Sequence, residues 1–509
     1  MTPPLQLSGR SLALEDVEAV AAGTLRDVVL SVASRNEVEA SRAVVDAAID
    51  EGRTVYGVNT GFGALSDVVI APEDIAALQV NLLRSHAAGV GVPLEAGATR
   101  AILLLRANTL AVGVSGVRPA LIDALLDLVC HDILPRIPRY GSVGASGDLA
   151  PLAHAALPLI GEGPVRAGDG WEPAAAALAR AGLRPIALAA KEGLALINGT
   201  QVHTAIGALA LLAAERAVDA CDVTGALSLD GLRGTPDAFD EAIQDVRPHP
   251  GQRRSAARLR GLLAGSEIRE SHRSGDPRVQ DAYSLRCMPQ VHGASRQLLG
   301  YVRDVLRVEI NSATDNPLVF AGTGRVLSGG NFHGQIVAQA LDLVPIACAD
   351  LAAIAERRIA RLVDPAMSGL PAFLTDSPGL RSGLMMVQIG AASLVAEVRR
   401  LAVPASVDTI PTDNNKEDHV SMGVGAALKA ERAVELLEAV LGMELLTACQ
   451  ALDFLGPLRT GAVAERARAA LRAKVPRLAE DRILAPDIEA AAALVRDGTL
   501  AGIARAVGL

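Results

Sequence analysis

Several stretches of this chain are apolar on more than one side over many helical turns: Gln201 to Cys221, Val291 to Val308, Gln335 to Leu362, Gly383 to Leu401 and Met422 to Ala451. A helix that is apolar around most of its circumference must be enclosed by others. Several together predict a central helical bundle, shared between subunits because a lone chain would expose such faces. These stretches are rich in Ala and Leu, which lose little side-chain entropy on helix formation. Aromatic residues make up only 2% of the chain, so the core must be aliphatic. Asp342 and Asp350 interrupt the most apolar run, which argues against a membrane span. The expected fold class is therefore mainly α.

The first two hundred residues read differently. Short helices, Arg100 to Leu110 and Pro119 to Leu134, alternate with turns punctuated by Gly57, Gly61 and Gly63 and by Gly141, Gly144 and Gly147. The chain divides on this reading into an N-terminal region, 1–200, and a long-helix region, 201–509, within one continuous subunit. Strand signals are weak; Val319-Phe320 and Arg325 to Leu327 can form one hairpin across Gly322-Thr323-Gly324. Arg247 to Glu270, polar and basic, reads as a surface excursion, either a mobile loop or an exposed helix.

A net charge of −9 without a basic stripe disfavours nucleic-acid binding. Arg253-Arg254 and Arg357-Arg358 are short and read as solvated or interface-facing positions. The five cysteines are odd in number, far apart and without C-x-x-C, which predicts free buried thiols in a reducing cytoplasm. The N-terminus has no basic region followed by an apolar one, so no secretory signal is expected. The nine histidines include no H-E-x-x-H and no ligand-like spacing, so no catalytic metal is expected.

The most informative string runs Gly141-Ser142-Val143-Gly144-Ala145-Ser146-Gly147-Asp148-Leu149-Ala150-Pro151-Leu152-Ala153-His154. It is a crowded loop of small residues leading into a helix, with Asp148 as a good N-cap and Pro151 tolerated in the first turn. A bare Ala-Ser-Gly would be no more than a tight turn. A second string, Val55-Tyr56-Gly57-Val58-Asn59-Thr60-Gly61-Phe62-Gly63, places one tyrosine in a glycine-rich loop that lacks any phosphate-cradle pattern. It is either a plain turn or a loop that presents Tyr56.

Taken whole, the two strings resemble those of the aromatic amino-acid ammonia-lyase and aminomutase family, and further matches extend to Asp487. The resemblance implies a fumarase/aspartase-like helical lyase architecture with an N-terminal region carrying the prosthetic-group loop and a long antiparallel bundle. It implies that Ala145, Ser146 and Gly147 cyclise to 4-methylidene-imidazol-5-one, with no external cofactor. Gly147 nitrogen attacks the Ala145 carbonyl, an approach eased by the missing side chain, and Ser146 loses its hydroxyl as water. Nearby helix N-termini would sharpen the electrophile. Tyr56 matches the family's general base, which as a phenol would need a lowered pKa to act near neutrality. Asn198 matches a residue at the substrate's polar end. Arg286 matches the partner of the substrate carboxylate, for which a guanidinium fork is suited. Gln280 and Tyr283 would sit beside the prosthetic group, and Phe332 in the pocket.

Within the family, Ser85-His86 and Glu417 resemble the branch that acts on histidine. His86, if not a structural histidine, can hydrogen-bond an imidazole, and Glu417 can accept from an imidazole N–H or act as acid or base. Such groups would reject a phenyl ring by being left unpaired. Lys416 stands where that branch commonly has Gln, and would pair with Glu417 or face solvent. Asp413-Asn414-Asn415 and Gln335 also depart from the common pattern. The implied reaction is conversion of L-histidine to trans-urocanate and ammonia by a cytoplasmic homotetramer whose active sites are shared between subunits, with neither nucleic acid nor membrane as partner. The alternatives are a tyrosine or phenylalanine lyase or aminomutase of the same family, and a non-catalytic helical scaffold.

Overall fold

The computed structural model describes residues 3–276 and 278–507. Helices dominate, and the longest, Gln201–Gly231, Met288–Glu309, Gln335–Val363 and Gly423–Phe454, fall on the apolar runs. The run from Gly383 forms a helix only from Met385 to Leu401, and the one from Pro119 stops at Cys130, where Asp132 turns left-handed. Strands are confined to four two-stranded pairs among the described residues. The expected hairpin pairs Leu318–Phe320 with Arg325–Leu327. A second, Pro164–Ala167 with Gly170–Pro173, turns on Gly168 at positive φ. Its turn signal, Gly168-Asp169-Gly170, was available in the sequence.

The chain forms two compact units. One comprises the residues up to Leu209, Arg303–Leu341 and Pro404–Leu428; the other comprises Ala210–Val302, Asp342–Val403 and Lys429 onward. Where the sequence suggested one division near residue 200, the contacts divide the chain at five points, each inside or beside a long helix.

Three expectations need correction. Gln201–Gly231 is buried along nearly its whole length within the single chain, so its apolar circumference does not by itself call for a second copy. Arg247 to Glu270 is no surface excursion. Its helix Pro250–Leu263 buries Ala256, Leu259, Leu262 and Leu263 on one stripe, and Arg258 is drawn in by Asp219. Arg358 is fully buried rather than solvated. Its guanidinium forks onto the Glu444 carboxylate, which also accepts from Thr224 Oγ1 at 2.7 Å and Ser228 Oγ at 2.8 Å. A charge so enclosed persists only because it is paired and hydrogen-bonded.

All five cysteines are unpaired, three of them buried and Cys130 and Cys287 half-buried. Burial pushes the Cys449 thiol up to about 12. Gln335–Val363 is long and apolar enough to cross a membrane, but it carries Asp342 and Asp350 and lies mostly buried in the protein.

Candidate active site

The first unit holds a cavity of about 1160 Å³. It is lined by Tyr56, His86, Ala145, Ser146, Asn198, Phe332 and Glu417, seven residues that the sequence had singled out from six separate segments. Gly147 closes the same loop. Gln280, Tyr283 and Arg286 belong to the other unit, and none lines this cavity. Tyr283 and Arg286 share one short helical turn, with the guanidinium 4.5 Å from the ring centroid and the tyrosine 69% exposed.

The small-residue loop is held in a specific shape. Gly147 adopts φ +76° and pairs with Gly199; an added Cβ would overlap the Gly199 carbonyl. The close approach that requires glycine here is thus to Gly199. Ser142 Oγ accepts from Gly144 N at 3.0 Å, and Met422 N donates to the Val143 carbonyl at 2.8 Å. Helices begin at Leu149 and at Gln201, so two helix N-termini adjoin the loop.

Asp148 does not cap its own helix, as its position suggested; its side chain makes no bond there. Its carboxylate instead accepts from Val202 N at 2.8 Å, His203 N at 2.9 Å and His203 Nδ1 at 2.8 Å, capping the long helix. Burial pulls His203 toward its neutral form, yet the Asp148 charge and hydrogen bond outweigh it and raise its pKa. Both residues are fully buried. Asp148→Ala leaves these donors unpaired and is expected to cost about 3–5 kcal/mol, measurable as a fall in unfolding free energy in denaturant titrations.

Ser146 Oγ donates to Glu417 Oε1 at 2.9 Å, while Thr412 Oγ1 donates to Glu417 Oε2 at 2.7 Å. Thr412 had no signal in the sequence; it is found only because the backbones of Thr412 and Glu417 bridge. Lys416 lines the cavity but is exposed and makes no ion pair with Glu417 among the described residues. Asp413, Asn414 and Asn415 all have positive φ, a conformation that Asn and Asp tolerate. Their departure from the common pattern thus has a structural use. Asp413 Oδ2 accepts from Ala64 N at 2.8 Å, tying the Glu417 segment to the tyrosine loop.

Tyr56 hydroxyl accepts weakly from Gly63 N at 3.5 Å. Burial raises its pKa, the Gly63 N–H opposes this, and the Glu417 and Asp413 charges raise it further. The lowered value that a phenolate base calls for is therefore not produced by these neighbours.

His86 Nδ1 lies 2.9 Å from the Leu82 carbonyl. A carbonyl can only accept, so Nδ1 carries the proton and Nε2 remains as an acceptor. Burial lowers the His86 pKa, with the Leu82 carbonyl and the Glu417 and Asp413 charges opposing. Asn198 Nδ2 donates to the Asn316 carbonyl at 2.9 Å, which leaves Oδ1 buried without a partner among the described residues. His333 and His419, not anticipated, also line the cavity, their rings stacked at 5.7 Å. Among the described residues no cluster of three or more His, Cys, Asp or Glu could hold a metal ion.

A mainly helical subunit with long bundle helices and this loop-built cavity is of the helical lyase class. The chain belongs to the aromatic amino acid lyase family, whose model matches residues 12–473. Histidine ammonia-lyase from Anaeromyxobacter sp. (strain K) is 53% identical over 504 residues, covering 97% of this chain and 99% of that protein. The crystal structure of histidine ammonia-lyase from Trypanosoma cruzi superposes with a TM-score of 0.93 at 41% identity, covering 100% of this chain and 96% of that one. Tyrosine aminomutase from Streptomyces globisporus gives the same TM-score at 38% identity, over 99% of this chain and 98% of that one.

Proposed function

We propose that this chain is a carbon–nitrogen lyase that removes ammonia from L-histidine to give trans-urocanate, using 4-methylidene-imidazol-5-one formed from Ala145, Ser146 and Gly147. The observation that carries this reading is the cavity that gathers Ser146, Tyr56, His86 and Glu417 in one place. The three loop residues fit the group: Gly147 is admitted by the absence of a Cβ against Gly199, and the Ser146 hydroxyl lies at the cavity wall. The group supplies an electron-poor alkene that makes the substrate nitrogen a better leaving group.

The chain's own residues do the rest. Tyr56 takes the β-proton. His86 Nε2 and the Glu417 carboxylate are both acceptors, so together they suit the two N–H groups of an imidazolium better than a phenyl or phenol ring. Once the substrate is seated, Glu417 can also exchange a proton with the imidazole. Asn198 keeps Oδ1 and one Nδ2–H unspent, so it can receive the substrate's polar end, while Arg286 pairs with the carboxylate. Phe332 packs against the substrate side chain.

Arg286, Gln280 and Tyr283 reach the site, on this reading, from another copy in a homotetramer. Exposed apolar side chains on long helices, among them Ile336, Ile346, Tyr301, Val308 and Ile389, support such an assembly. Tyr56→Phe and Arg286→Ala proteins, each expected to be strongly impaired alone, should regain activity when dissociated and reassembled together. Roughly a quarter of the sites then hold both native residues, as random mixing of symmetric subunits gives. The unpaired thiols favour the cytoplasm.

The decisive assay follows near-ultraviolet absorbance with L-histidine, L-phenylalanine and L-tyrosine in parallel, with product identification. A rise with L-histidine alone, from conjugated urocanate, is the expected result. A rise with L-tyrosine or L-phenylalanine alone would overturn the substrate assignment, and a β-amino acid product would indicate an aminomutase.

A further inference from the structure

The contact between Ser146 and Glu417 joins a carboxylate to the hydroxyl that must be lost when the loop cyclises. Both partners are fixed. Thr412 holds the other Glu417 oxygen, and Thr412 N donates to the Glu417 carbonyl at 3.0 Å. On the other side, Ser142 and Met422 hold the Ser146 loop. Substrate binding gives no reason for this contact, because Oγ is absent once the prosthetic group has formed. In the uncyclised chain Glu417 is instead placed for the cyclisation itself.

We infer that Glu417 is a catalytic residue of maturation as well as of turnover, acting on the dehydration of Ser146. The inference rests on the methylidene-imidazolone reading above. Two waters leave. The first takes the Ala145 carbonyl oxygen with the amide protons of Ser146 and Gly147, as the Gly147 N–Ala145 C bond forms. The second takes the Ser146 hydroxyl with the Cα proton, as the Cβ–Oγ bond breaks and Cα=Cβ forms. Glu417 acts in the second: the Cα proton passes to its carboxylate and from there to the departing Oγ. The carboxylate is returned unchanged, so no oxidant, reductant or further reactant is needed.

The test follows intact mass against time on freshly synthesised full-length chain, with the native protein, Glu417→Gln, Glu417→Asp, Thr412→Val and Ser146→Ala compared. The native chain should become two waters lighter. Glu417→Gln, which keeps a hydrogen-bonding group but cannot carry the proton, should lose the second water about 100-fold more slowly, within the range of general acid–base catalysis. Glu417→Asp should recover part of that rate. Thr412→Val, which leaves the carboxylate in place but frees it, should be several-fold slow and decides the matter if Glu417→Gln does not fold. The pH dependence of the native dehydration rate should be absent in Glu417→Gln. A native rate in Glu417→Gln would overturn the inference, as would a native rate in Thr412→Val should Glu417→Gln not fold. A native chain that never loses two waters would overturn the prosthetic-group reading itself, which distinguishes the two failures.

Discussion

Gly147→Ala is expected to yield a chain that keeps its full sequence mass and has no lyase activity. The alanine methyl would overlap the Gly199 carbonyl at a φ of +76°. Left-handed backbone costs a residue other than glycine roughly 1–2 kcal/mol, and overpacking at a filled site costs about 1–3 kcal/mol more. The strain is relieved only by parting Gly147 from Gly199, which also breaks the Asp148 N bond to the Gly199 carbonyl at 2.7 Å. The loop then loses the shape from which Gly147 nitrogen can reach the Ala145 carbonyl. Intact mass and the urocanate assay on one preparation check both halves, and a chain two waters lighter with native activity would refute the account.

Tyr56→Phe is expected to lower kcat by about 10²–10⁴-fold while leaving the mass two waters below the sequence value. The phenyl ring keeps the packing and removes only the proton acceptor, so maturation and activity separate. The pH profile follows from the sign of the Tyr56 shift. Its pKa is raised, by burial first and by Glu417 and Asp413 next. Below that pKa the phenolate fraction grows tenfold per pH unit, so the acid limb of kcat/KM should rise with pH and should vanish in Tyr56→Phe. Asp413→Asn removes one of the charges that raise the pKa and should move that limb to lower pH. A limb unmoved by either substitution would assign the base elsewhere. On the proposed assembly, a cation such as Arg286 from another subunit would favour the phenolate that this unit alone disfavours.

How much of this was legible in sequence depends on the range of the interaction. Apolar periodicity located the long helices because it is a property of neighbouring residues. The Ala145-Ser146-Gly147 and Tyr56 loops, His86 and Glu417 were legible as types of residue within recognisable strings. What those residues touch was not. Asp148 looked like the cap of the helix it precedes, yet it caps the helix that begins at Gln201. Arg358 read as a surface charge because its Glu444 partner lies 86 positions away. Thr412 carried no signal, since its role is only to hold Glu417.

By itself the sequence determined the helical class, the family and the side chains available to a reaction. These depend on local propensity and on chemical identity, which every residue carries with it. The tertiary structure decided which atom of each residue is free to act. It left Asn198 with an acceptor and His86 with Nε2, set Glu417 on the Ser146 hydroxyl, raised rather than lowered the Tyr56 pKa, and kept Arg286 out of the cavity of the first unit. Hydrogen-bond partners, burial and nearby charge come from segments distant in the chain, and only packing brings those segments together.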